Sequence, residues 1–176
     1  MKSAIFTVFL AAVLSLAGAQ AARAEEPVAS QKQIEDLIET FRNSIIKKDR
    51  NTFLKLFLKP DITWTGVLPD QSIEVLYATR PKPELARPKK NFSSSPVDFI
   101  DFIVNSPLAL EETFSNMRID TDGDVAEVWF DYTFKTIDYK QNWGKESWQL
   151  VRLESGWKIA AVVWSQEINP VPPPKR

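Results

Sequence analysis

Ile34, Leu37, Ile38, Phe41, Ile45 and Ile46 recur at the three-to-four-residue spacing of an α-helix. This stripe predicts one amphipathic helix over residues 30–47, with Ser30 and Gln33 as a capping-box pair at its start. Asp49 is placed to cap a second, short helix carrying Phe53, Leu54, Phe57 and Leu58, which Pro60 ends. The period then changes. Residues 61–67 set Ile62, Trp64 and Gly66 against Thr63 and Thr65, the alternation of a strand. Residues 68–94 read as a long connection, rich in proline and basic from Arg80 to Lys90, with a short strand at 73–78. Ser95-Pro96-Val97-Asp98 opens a third helix, whose apolar face is Phe99, Ile100, Phe102 and Ile103. Beyond Pro107 the pattern is β, with strands near 110–119, 124–136, 143–153 and 157–167. Asp120-Thr121-Asp122-Gly123 and Glu154-Ser155-Gly156 are the turns between consecutive antiparallel strands.

Helices followed by a run of antiparallel strands make an α+β pattern. In strand 124–136, Ala126, Val128, Phe130, Tyr132 and Phe134 share one face, taken as the interior. Val125, Glu127, Trp129, Asp131 and Thr133 share the other. The last strand is apolar on both sides, with Ala160, Val162 and Trp164 facing away from the helices. A sheet covered by helices on one face normally wets the other. The apolar second face therefore predicts a homodimer.

Composition narrows the chemistry. The chain has 176 residues and six tryptophans but no histidine and no cysteine. Zinc, copper and haem sites of the usual kinds are excluded, as is Ser-His-Asp or Cys-His catalysis. Carboxylate, tyrosine, lysine and arginine chemistry remains. Asp120, Asp122 and Asp124 are spaced like calcium ligands but lack flanking helices, and read as a turn. No cofactor is implied. The first 24 residues carry Lys2, an apolar run from Ala4 and an Ala22-Arg23-Ala24 cleavage pattern. They read as a signal peptide that directs secretion to the periplasm, without stable membrane insertion after cleavage. Residues 25–169 then form a single domain, and 170–176 a proline-rich tail. Losing Lys2 and Arg23 leaves 20 basic against 23 acidic residues, which argues against a nucleic-acid surface.

Several residues taken in order resemble the nuclear-transport-factor-2-like superfamily, which includes ketosteroid isomerases and SnoaL-type cyclases. They are the first helix, Lys48-Asp49, Phe57, residues 61–66 as Asp-Ile-Thr-Trp-Thr-Gly, Gly123-Asp124-Val125-Ala126 and Gly156-Trp157-Lys158-Ile159. The resemblance implies a cystatin-like cone, a bent antiparallel sheet wrapped around three N-terminal helices, with a ligand cavity at its open end. It also implies frequent dimerisation through the sheet. Steroid isomerases of the superfamily place a tyrosine where this chain has Phe41 and a catalytic aspartate where it has Gly66. Both departures argue against isomerase chemistry.

The candidate ligand-binding residues are Trp64, Tyr132, Trp148 and Gln149, for a small apolar or amphipathic molecule. Trp148 and Gln149 point to opposite faces, and the turn at 154–156 leaves open which one meets the cavity. Glu146 and Asp131 are the candidate bases of an alternative cyclase, isomerase or dehydratase. A third reading is a dimerising accessory module. A buried carboxylate inside the cavity favours the enzyme, whereas a cavity of apolar groups and Gln149 favours binding. A closed core favours the third.

Overall fold

The computed structural model describes residues 11–136 and 139–174, with side-chain surroundings from residue 28 onward. Its elements are α1 (Ala11–Lys47), α2 (Arg50–Leu54), β1 (Thr63–Val67), α3 (Asp70–Ala78), β2 (Asn91–Ser93), α4 (Pro96–Asn105), β3 (Leu110–Thr121), β4 (Val125–Thr136), β5 (Tyr139–Leu153), β6 (Gly156–Ser165) and β7 (Glu167–Ile168).

Ile34, Leu37, Ile38, Phe41 and Ile45 form the buried stripe of α1, while Ile46 is exposed. Neighbouring residues on a helix point about 100° apart; Leu37 and Ile38 straddle the centre of the stripe and both fit within it, whereas Ile45 takes the core side at the end of the helix and turns Ile46 outward. Ser30 does not begin the helix. The alanine-rich stretch before it is a strong helix former, and α1 runs back to Ala11 with Ser30 buried inside it. Residues 1–10, where the expected signal begins, lie outside the described residues. No described helix is long and apolar enough to cross a membrane.

Asp49 caps α2, its Oδ1 accepting from the Thr52 N–H at 3.0 Å. That helix ends at Leu54, and the expected continuation becomes an edge that bridges Phe57 to Ile159. Ser95 caps α4, accepting from the Asp98 N–H at 3.0 Å and donating its hydroxyl to Asp98 at 2.7 Å. Residues 73–78, expected as a strand, are the last six of the nine residues of the helix α3. Pro69 sets the entry to α3, and Asp70 in its first turn complements the helix dipole. Ser72 is buried and accepts from the Ile168 N–H at 3.0 Å, tying the helix to β7. The basic segment folds back onto α3. Arg87 pairs with Glu74, Lys90 with Asp70 at 2.6 Å, and the Arg80 guanidinium lies 4.0 Å from the Tyr77 ring centre.

The strands form one sheet in the order β2-β1-β6-β5-β4-β3, with β7 paired to β5. All pairings are antiparallel except β1 with β6, which is parallel. The turn before β4 is closed by Asp122, whose carboxylate accepts from the Asp124 and Val125 N–H groups, both at 2.9 Å. Along β4, Ala126, Val128, Phe130, Tyr132 and Phe134 are buried as the alternation predicts.

On β6 the alternation breaks. Gln149 pairs with Ala161 and Leu150 with Ile159, so Ala160 is an extra, unpaired residue. A bulge of this kind reverses which side chains face inward beyond it. Trp157 and Ile159 are buried before the bulge, and Val162 is buried after it. Trp164 follows inward, its ring 5.7 Å from that of Trp64. The expectation that Val162 and Trp164 lie on the outer face is therefore overturned. Ala161 and Val163 take that face, and Ser147 connects Val163 to Trp129 across it.

Candidate functional site

The helices do not fill the inner face completely. Between α4, β2 and the inner face of the sheet lies a cavity of about 340 Å³. Most of its wall is aromatic: Trp64 from β1, Phe92 from β2, Phe99 from α4, Phe134 from β4 and Trp164 from β6, with Phe41 of α1 behind them. The rings brace one another, mostly edge to face, with Phe99 tilted against Trp64. Trp164 stands between Trp64 at 5.7 Å and Phe92 at 5.5 Å, and Phe99 lies 5.7 Å from Trp64 and 6.2 Å from Phe134. Gly66 makes the Phe92 position possible, because a Cβ there would lie 2.2 Å from that ring.

The polar end is built by three adjacent strands. Glu112 of β3 pairs in register with Phe134, and Glu146 of β5 pairs with Phe130. Tyr132 lies between Phe130 and Phe134 on the same face of β4, so two carboxyl groups flank one phenol. All three line the cavity and are buried, with 6%, 4% and 4% exposure for Glu112, Glu146 and Tyr132. The Tyr132 hydroxyl donates to the Ser165 carbonyl at 3.1 Å. Gly144 permits that approach, since a Cβ there would sit 2.0 Å from the same carbonyl oxygen.

Electrostatics follows from burial. Loss of water pushes the Glu146 carboxyl up to about 7, opposed by the hydrogen bond it accepts from Trp148 Nε1 at 2.6 Å. Glu112 is raised well above the ordinary glutamate range, first by burial and then by the charge of Glu146. Burial and the surrounding carboxylates hold the Tyr132 proton firmly, so the phenol acts as a neutral hydrogen-bond donor.

The sequence candidates separate accordingly. Trp64 and Tyr132 line the cavity. Trp148 lies a layer below it, fully buried against Phe41 at 4.8 Å and Phe130 at 5.1 Å, and positions Glu146. Gln149 is exposed on the opposite face of the sheet and does not meet the cavity. Asp131 also faces outward. It is ion-paired to Lys145 and accepts from Asn116 at 2.7 Å, which together hold its carboxyl below the usual range and remove it as a cavity base. Glu112 was missed by the sequence reading. Its signal was present, because Leu110, Glu112 and Phe114 alternate on one face of β3.

No protein-family model matches this chain, and no curated protein does. Solved structures do match. A nuclear-transport-factor-2-like protein with a cystatin-like fold from Novosphingobium aromaticivorans aligns with a TM-score of 0.56 at 11% identity, covering 83% of this chain and 86% of that one. A candidate dehydratase of the same family from Streptomyces avermitilis aligns with a TM-score of 0.55 at 13% identity, covering 81% and 99%. A nuclear-transport-factor-2-like protein of unknown function from Shewanella baltica gives 0.52 at 15% identity, covering 81% and 97%.

Proposed function

Starting from a chain with the nuclear-transport-factor-2-like, cystatin-like fold, we propose that it binds a small, largely apolar molecule in the aromatic cavity. The observation that carries this reading is an open space of about 340 Å³ whose walls are rings and whose polar groups gather at one end. That division, apolar wall with a few convergent polar groups, is typical of small-molecule sites. Native mass spectrometry of the purified protein tests it. A copurifying small molecule, lost in Trp64→Ala, supports the reading, and a ligand retained at full affinity in both Trp64→Ala and Tyr132→Phe overturns it.

One observation favours a second reading, proton transfer of the cyclase, isomerase or dehydratase kind. Glu146 is a buried carboxyl inside the cavity, raised to about 7, where a single group takes and returns a proton with little cost. The Tyr132 hydroxyl, whose one proton goes to the Ser165 carbonyl, would accept a hydrogen bond there or turn from that carbonyl to donate one. Incubation of the copurified molecule with protein in deuterium oxide distinguishes the readings. Deuterium incorporation that Glu146→Gln abolishes supports catalysis, and none in the wild type leaves binding alone.

The same reading includes export with cleavage after Ala24, checked by N-terminal sequencing of the exported protein. It also includes self-association through the outer row of Trp129, Ala161 and Val163, checked by sedimentation equilibrium.

A further inference from the structure

The ionisable groups inside the cavity are all acids. Its ionisable lining consists of Asp98, Glu112, Glu146 and the neutral phenol of Tyr132, with no lysine or arginine among the described residues. Asp98 is already engaged at the start of α4 by the Ser95 hydroxyl at 2.7 Å. The other two carboxyl groups are buried and have at most one partner between them. Glu146 accepts one hydrogen bond, from Trp148 to Oε1. Glu112 has none among the described residues, although it is 6% exposed and faces the cavity. A buried polar group without a partner is costly, and a buried carboxylate more so.

The geometry points to an organic cation as the occupant: a small ammonium whose charged end sits between Glu112 and Glu146 and whose apolar body lies against Trp64, Phe99 and Trp164. This rests on the small-molecule reading above and specifies its ligand class. An ammonium supplies an N–H donor to Glu112, which has none, and a second one to Glu146 beside that of Trp148. The ring faces around it attract positive charge through their quadrupoles. An anionic ligand would bring a further negative charge to a site that already holds acids. A purely apolar one would leave Glu112 without a partner and Glu146 with the Trp148 hydrogen bond alone.

The test compares 2-phenylethylammonium, its uncharged carbon isostere propylbenzene and the anion 3-phenylpropanoate. Tryptophan fluorescence follows binding to the full chain at about pH 8, where Glu146 ionises. The ammonium is expected to bind at least ~10-fold more tightly than propylbenzene, as hydrogen bonds to charged groups suggest. The anion is expected not to bind. In the double variant Glu112→Gln with Glu146→Gln, the ammonium loses that advantage while propylbenzene holds or gains. These replacements keep side-chain shape and remove charge, and circular dichroism confirms the fold. If propylbenzene binds wild type as well as the ammonium does, the cation assignment falls and the small-molecule reading stands. If none of the three binds, the cation assignment falls, and native mass spectrometry of the purified protein decides the small-molecule reading separately.

Discussion

The two halves of the inner face use similar residues to opposite ends. Away from the cavity, Ile34, Ile45, Val128, Leu150 and Ile159 pack to between 0% and 1% exposure. Around the cavity, an equally apolar set of rings stops short of closing and leaves two carboxyl groups among them. The sealed half derives stability from complete contact, because dense packing turns each methylene into many dispersion contacts. The open half gives up contact and carries buried ionisable groups, a combination that marks a site rather than a core.

The largest expected effect tests the sealed half. Ile159→Ala should cost ~2–5 kcal/mol, because a filled position becomes a void. Phe134→Ala enlarges a space that already exists, and its cost should be nearer the transfer term alone, ~1–3 kcal/mol. Urea denaturation of the two variants side by side measures the contrast. Equal losses would erase the distinction between the halves.

Next is the pH dependence of Glu146. Its carboxyl ionises near 4.5 when unfolded and at about 7 when folded, so the folded protein holds the proton more tightly. The contribution to stability is fully present below about pH 4.5 and is lost as pH rises through 7. Glu146→Gln should therefore be nearly neutral at low pH and clearly stabilising at about pH 8. Thermal denaturation of both proteins across that range checks the sign, and a variant less stable than wild type at high pH contradicts it.

A smaller effect is expected at the cavity lip. Gly66→Ala places a Cβ 2.2 Å from the Phe92 ring, which must swing away from Trp164. The loss should be ~1–2 kcal/mol, in the range of overpacking. A change in tryptophan emission should accompany it. The smallest effect belongs to the surface. Arg50 and Asp101 form an exposed ion pair at 2.6 Å, and Arg50→Gln should leave the denaturation midpoint within experimental error.

Much of this architecture was legible along the chain. The helical stripe of α1, the Asp49 and Ser95 caps and the interior face of β4 follow from local spacing and local hydrogen bonds. Residues 73–78 misled because Ile73 and Val75 favour strands by propensity, while Pro69, Asp70 and the docking of Ser72 on β7 favour a helix. Tyr132 and Trp64 were found because alternation placed each on an apolar face. Trp148 and Gln149 needed the pairing of β5, which no local signal supplies.

What the sequence determined by itself is the order and type of α1, α2, β1, α4 and β3 to β6, the absence of histidine and cysteine chemistry, and the face on which Tyr132 lies. These depend on periodicity and composition, which are properties of neighbours along the chain. The tertiary structure alone decided the rest. One unpaired residue, Ala160, reversed the facing of Val162 and Trp164, because a period of two has no tolerance for a single insertion. Register across β3, β4 and β5 brought Glu112 and Glu146 to either side of Tyr132. That meeting joins residues 34 positions apart in the sequence, and only hydrogen-bonded strands fix such a distance.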